Sequence, residues 1–151
     1  MRKAIKVSNK IEMTLPADVQ FIELAAKCVS KMARMAGFGN DDAFNIELAV
    51  DEACTNVIMH AYEKDSSKIY TVICVYNQNS FTVEVQDHGK PFHFEAVPEP
   101  DVKSRIEEQK VGGLGIYLIR QIMDEVNYFE ETDGLKRLVM KKYRSGRSND
   151  K

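Results

Sequence analysis

The chain has 151 residues, 44% hydrophobic and 29% charged, with a formal net charge of −2. That length suits one domain with a real core, and that charge gives no general attraction to nucleic acid or to an anionic membrane. No apolar run approaches the roughly 20 residues of a membrane span, and the opening Met1-Arg-Lys-Ala-Ile-Lys-Val7 alternates like a strand and lacks the apolar centre of a signal peptide. These features predict one cytoplasmic domain over residues 1–143 and a polar, frayed tail over 144–151.

Cys28, Cys54 and Cys74 are odd in number and far apart. They read as reduced, mostly buried thiols rather than a disulfide framework or a metal site. Ile5, Val7, Ile11, Met13 and Leu15 predict an N-terminal strand or hairpin around Ser8-Asn9-Lys10. Pro16 is placed near a helix start, where its missing N–H does no harm. Phe21, Leu24, Ala25, Cys28, Val29, Met32 and Met35 then recur at helical spacing to about Ala36, and Gly37 ends that helix. Asn40, Asp41 and Asp42 offer caps and negative charge for a second helix reaching about Tyr62.

Ile69 to Tyr76 and Phe81 to Asp87 predict two strands joined by Asn77-Gln78-Asn79-Ser80. The stretch from His88 to Val111 carries Pro91, Pro98 and Pro100 and few periodic apolar residues. Connections of that length are uncommon and usually functional or disordered. A third helix is predicted from Leu114 to Asp124, then a hairpin of Val126–Glu131 and Leu135–Tyr143 around Asp133-Gly134. This order is not a βαβ alternation. It predicts an α/β (α+β) two-layer sandwich, with helices on one face of a mainly antiparallel, mixed sheet.

Three local features carry chemistry. Glu52, Asn56 and His60 stand at four-residue steps, one helical turn apart, and so form a stripe along the edge of the second helix's apolar arc. Asn offers a neutral oxygen suited to Mg²⁺, and a Glu one turn away can take a proton from a nucleophile; hydrogen-bonded structure at the border of the core is the plainer alternative. Asp87-His88-Gly89 ends a strand. The Asp can accept from an amine such as adenine's, and Gly89 removes a side chain where a flat ring must approach the backbone; a strand-ending Asp-x-Gly turn is the alternative. Gly112-Gly113-Leu114-Gly115 opens a helix whose N–H groups can receive phosphate, with Lys110 just before it, or else forms an ordinary loop-to-helix junction. No Gly-Lys-Ser/Thr follows, and the third Gly of a dinucleotide fingerprint is missing. His88 and His93 lack a companion pair at zinc spacing.

Taken together, the three features resemble the GHKL (Bergerat-fold) ATP-binding superfamily. Glu52 and Asn56 look like its N-box, Asp87 and Gly89 like its first glycine box, Gly113 and Gly115 like its second, and His88–Val111 stands where its ATP lid does. The runs Gly37–Tyr62 and Gly113–Val126 are similar to the anti-sigma factor serine/threonine kinases, the RsbW/SpoIIAB-like group. The resemblance implies ATP and Mg²⁺ as ligands, and a protein kinase that phosphorylates a Ser or Thr of a small anti-sigma factor antagonist. It also implies a sigma factor as a second partner and homodimerisation; no direct contact with nucleic acid is expected from the net charge. By that resemblance Asn56 would hold Mg²⁺, Glu52 would be the catalytic base and Asp87 would read the adenine amine beside Gly89. Gly112, Gly113, Leu114 and Gly115 would cradle phosphates, with Lys110 as a further contact.

The superfamily often has a Thr after a Gly in its late hairpin; here Leu135 and Lys136 follow Gly134, leaving Thr132 as the substitute. His60 receives no role beyond a brace. Two other functions fit the same motifs: a non-catalytic, nucleotide-gated partner-binding module, and the ATP-binding part of a histidine kinase. The last is disfavoured because the chain opens with a strand and no His precedes His60.

Overall fold

The structure, a computed structural model, describes residues 9–92 and 113–144. Strand β1 spans Lys10–Pro16, helix α1 Ile22–Met35 and helix α2 Asn40–Asn56. Strands β2 (Ile69–Tyr76) and β3 (Ser80–Asp87) follow, then helix α3 (Gly113–Ile122) and strands β4 (Glu125–Glu130) and β5 (Lys136–Tyr143).

The first helix starts later than its proline suggests. Pro16 closes β1, an edge strand on which a missing N–H costs no ladder bond. Asp18 then accepts the N–H of Gln20 at 3.1 Å and caps a single 3₁₀ turn, Val19–Phe21, that leads into α1. At the other end Gly37 adopts a φ of +94°. The Gly37 N–H reaches the Arg34 carbonyl and the Phe38 N–H reaches the Ala33 carbonyl, each at 3.0 Å, as a helix stop with a left-handed glycine requires. The cap of α2 is Gly39 rather than any of the three polar residues after it; Asn40 instead accepts from Arg34 Nε at 3.3 Å. The helix pair is glued by small buried residues, among them Ala25, Ala33, Ala43 and Ala49.

The second helix changes register where the sequence shows no break. Val57–Ala61 forms one π turn, in which the Tyr62 N–H bonds the Val57 carbonyl five residues back at 2.9 Å. The Tyr62 hydroxyl then donates to the Ile69 carbonyl at 2.8 Å and accepts the His88 N–H at 2.9 Å. One side chain thereby joins the end of α2, the start of β2 and the loop after β3.

The sheet order is β1-β2-β3-β5-β4, and every pairing among the described strands is antiparallel; no parallel, mixed element occurs there. Alternation puts Leu15, Tyr70, Val72, Cys74, Val83, Val85, Leu138 and Met140 on one buried face under the helices. Cys54 and Cys74 are buried, Cys28 is half-buried, and all three are free thiols; burial pushes the Cys54 thiol up to about 12.

The other face of the sheet carries an ion cluster. Arg137 Nε and Nη2 meet the two oxygens of Glu84 at 2.6 and 3.3 Å, while Nη1 reaches Glu131 at 3.1 Å. The guanidinium lies 5.3 Å from the centre of the Phe129 ring. Burial alone would raise the Glu84 carboxyl, but hydrogen bonds from Arg137 and Gln86 outweigh it and hold it below its ordinary value. A carboxyl depressed by folding adds stability that is complete above its unfolded value and is lost as pH falls through the folded one. Arg137→Ala is therefore expected to lower the melting temperature by about 2–4 °C at neutral pH and to flatten the acid side of the stability curve below about pH 4.5. An unchanged curve in a thermal melt series would show that the clasp contributes nothing.

Candidate active site

A narrow cleft opens between the end of α2, the start of α3 and the strands β3, β4 and β5. Its walls are apolar: Ala53 and Val57 from α2, Ile116 from α3, Val85, Leu138 and the residue Phe92. Polar groups enter at separate places. Asp87 stands on the sheet side, Asn56 and His60 on the helix side, and Tyr128 and Lys90 near the rim.

Asp87 is the last residue of β3 and is buried. One of its oxygens takes the Gly89 N–H at 2.8 Å; the other has no hydrogen-bond partner among the described residues. Burial raises the Asp87 carboxyl, and the Gly89 N–H and the Lys136 charge pull it back part of the way. The result is an acceptor in an apolar cleft, suited to a planar ring that carries an amine.

Gly89 has a nearer reason to be glycine than the approach of a flat ring. A Cβ there would lie 2.4 Å from the Ala61 carbonyl oxygen and 2.6 Å from its carbon. The Lys90 N–H bonds the same carbonyl at 2.8 Å. Gly89 thus lets the loop after β3 press against the π turn of α2, which shapes one end of the cleft.

Glu52 and Asn56 face the first turn of α3. A Cβ on Gly115 would meet Glu52 Oε2 at 2.6 Å, Asn56 Nδ2 at 3.6 Å and Asn56 Oδ1 at 3.7 Å. A side chain at 115 would push the flexible end of Glu52 away from that turn. Glu52 is half-buried and has no hydrogen bond or ion pair among the described residues; burial, then the charge of Asp51, raises its carboxyl above the ordinary value. Asn56 Nδ2 is buried without a partner. The open Nδ2 is a donor, suited to a phosphate oxygen; a hard cation held with those phosphates would take Oδ1 of the same amide, since Mg²⁺ takes few protein oxygens and keeps waters and phosphate oxygens. Among the described residues no three His, Cys, Asp or Glu side chains converge into a closed metal cage.

Gly113 and Leu114 open α3 as the motif predicts. Lys110 and Gly112 lie outside the described residues, as do His93 and most of the predicted lid. Thr132 does not line the cleft; the late hairpin contributes Tyr128 and Leu138 instead, and Gly134 closes its turn at a φ of +88° with its N–H on the Glu131 carbonyl at 3.1 Å. Tyr128 accepts the Phe92 N–H at 3.1 Å. No helix among the described residues is long and apolar enough to cross a membrane.

The family model described as the histidine kinase-like ATPase domain matches residues 15–142. The chain belongs to that family. It is 32% identical over 137 residues to serine-protein kinase RsbW from Bacillus thuringiensis strain Al Hakam, Bacillus cereus strain AH820 and Bacillus anthracis strain A0248. Each match covers 88% of this chain and 84% of the relative. One chain of the crystal structure of the SiaB–SiaC complex from Pseudomonas aeruginosa shares the fold, with a TM-score of 0.58 at 14% identity over 88% of this chain and 89% of that one. Within that family the chain groups with the RsbW-type serine-protein kinases.

Proposed function

We propose that the protein is an anti-sigma-factor-type serine/threonine kinase: it binds ATP in the cleft and phosphorylates a hydroxyl of a small anti-sigma factor antagonist. The observation that carries this reading is the unpaired Glu52 carboxylate facing the open Asn56 amide and the first turn of α3. Asp87 would accept from the adenine amine, and Val57, Val85, Ile116 and Leu138 would enclose the ring. The N–H groups of Gly113, Leu114 and Gly115 would receive phosphate oxygens, helped by the positive end of α3, with Gly112 and Lys110 adjoining. Asn56 would hold Mg²⁺, which when bound neutralises charge on the phosphates. Phosphoryl transfer demands positioning and charge balance more than covalent help. Glu52 would take the proton of the incoming Ser or Thr hydroxyl, a role that its raised carboxyl suits.

The name serine-protein kinase borne by the relatives supports the acceptor class. A sigma factor as a second partner, homodimerisation and a cytoplasmic location belong to the same proposal. The test is affinity capture of partners in ATP and in ADP, followed by incubation with γ-labelled ATP and Mg²⁺. Label on a Ser or Thr of a captured protein, and at least tenfold less with Asn56→Ala, is the expected result. Nucleotide-dependent capture with no label transferred would replace the kinase with a sequestering module.

A further inference from the structure

His60 is the third member of the α2 stripe, and neither the metal-side nor the base-reading assignment uses it. Its Nε2 is buried and has no hydrogen-bond partner. The side chain lines the same cleft as Asn56 and Asp87. A buried polar nitrogen left open costs free energy that an apolar ring of the same size would avoid, so the imidazole is not explained as a brace of the fold. The π turn is the second observation. His60 lies within it, at the end of the helix, and such turns are frequent at functional sites.

Its place along the cleft narrows the ligand group. Asn56 lies one turn earlier, toward the first turn of α3. Ala61, the next residue, carries the carbonyl that receives Lys90 and packs on Gly89, two residues beyond Asp87. His60 therefore stands between the phosphate end and the base-reading end. An imidazole can donate or accept, and a nucleoside offers both ribose hydroxyls and ring nitrogens there.

We infer that His60 is a nucleotide-recognition residue whose Nε2 hydrogen-bonds the nucleoside part, ribose or base, rather than the phosphates. This rests on the reading of the cleft as an adenine-nucleotide site. It adds a polar contact between the adenine reader and the metal holder and makes His60 a determinant of affinity rather than of phosphoryl transfer.

Calorimetric titration without Mg²⁺ tests it, using ADP, AMP and adenosine on the wild-type chain and on His60→Phe. The expected result is a loss of about tenfold in affinity, the size of one hydrogen bond in a desolvated site, and by the same factor for all three ligands. The ligand-free variant is expected to melt no lower than wild type, because an apolar ring replaces an open polar one. ADP analogues lacking the 2′-hydroxyl, the 3′-hydroxyl, N3 or N7 locate the contact: one of these deletions weakens wild-type binding and has no effect on His60→Phe. His60→Gln carries the same comparison if the Phe variant does not fold. Unchanged affinities overturn the inference, and so does weakening of ADP and AMP with adenosine unaffected, which would put the contact on phosphate. A wild-type chain that binds none of the three overturns the adenine reading itself and this inference with it; binding that ignores residue 60 overturns this inference alone.

Discussion

Glu52→Gln is expected to slow phosphoryl transfer to the protein acceptor by about 10²–10⁴-fold, the usual contribution of a general base, while ADP affinity stays within about threefold. The change removes the proton acceptor and keeps the side chain's shape against Gly115, whose Cβ position lies 2.6 Å from Glu52 Oε2. The pH dependence gives a second signature. Burial and the neighbouring Asp51 raise the Glu52 carboxyl, so the acid limb of the wild-type rate profile should lie above the ordinary carboxylate range and vanish in the variant. The same shift fixes the sign on stability. A carboxyl raised by folding costs stability once it ionises, and that cost disappears as pH falls through the folded value. Glu52→Gln should therefore melt no lower than wild type at neutral pH. Transfer at the wild-type rate in the variant would remove Glu52 from the chemistry.

Gly89→Ala is expected to have the largest effect on folding. The new methyl group would overlap the Ala61 carbonyl oxygen, 2.4 Å away, and its carbon, 2.6 Å away. Both are backbone atoms, so no side chain can swing aside. Overpacking of this kind costs on the order of 1–3 kcal/mol, and the displaced loop would also give up the Lys90 N–H bond to the same carbonyl. A chemical denaturation curve should show the loss, together with weaker nucleotide binding, because Asp87 hydrogen-bonds the Gly89 N–H. Wild-type stability in this variant would mean that the loop and the π turn are not in contact.

Much of this was legible from the pattern of residues. β2 and β3 fall where alternation put them, Gly37 stops α1 as a left-handed glycine should, and Glu52 and Asn56 do share one side of α2. What was not legible is non-local or lacks a sequence mark. The π turn at Val57–Ala61 differs from an α-helix by one residue of hydrogen-bond register, and Val-Ile-Met-His-Ala carries no glycine or proline to announce it. Gly89 was explained by a ring, whereas the atom that demands glycine belongs to Ala61, distant in sequence and adjacent only after folding. Val57, Leu138, Ile116 and Tyr128 line the cleft, yet their periodicity is that of any core residue, since a pocket wall and a packed interior both require apolar side chains on the inner face. Asn40, Asp41 and Asp42 were all plausible caps, and the chain uses Gly39, whose extended backbone places its carbonyl on the Ala43 N–H at 2.9 Å.

The Arg137–Glu84 clasp on the open face reaches further than the few degrees of melting temperature assigned to it. In the pairing of β3 with β5, Asp87 stands opposite Lys136, Gln86 opposite Arg137 and Val85 opposite Leu138. Sliding one strand by a single residue would exchange its inner and outer faces: Asp87 would turn out to water and Gln86 would enter the cleft. The two-point grip of Arg137 on Glu84 fits one alignment only, so an ion pair on the far side of the sheet indexes the strand that carries the base-reading carboxylate. Mutations there can silence the site in a chain that still folds.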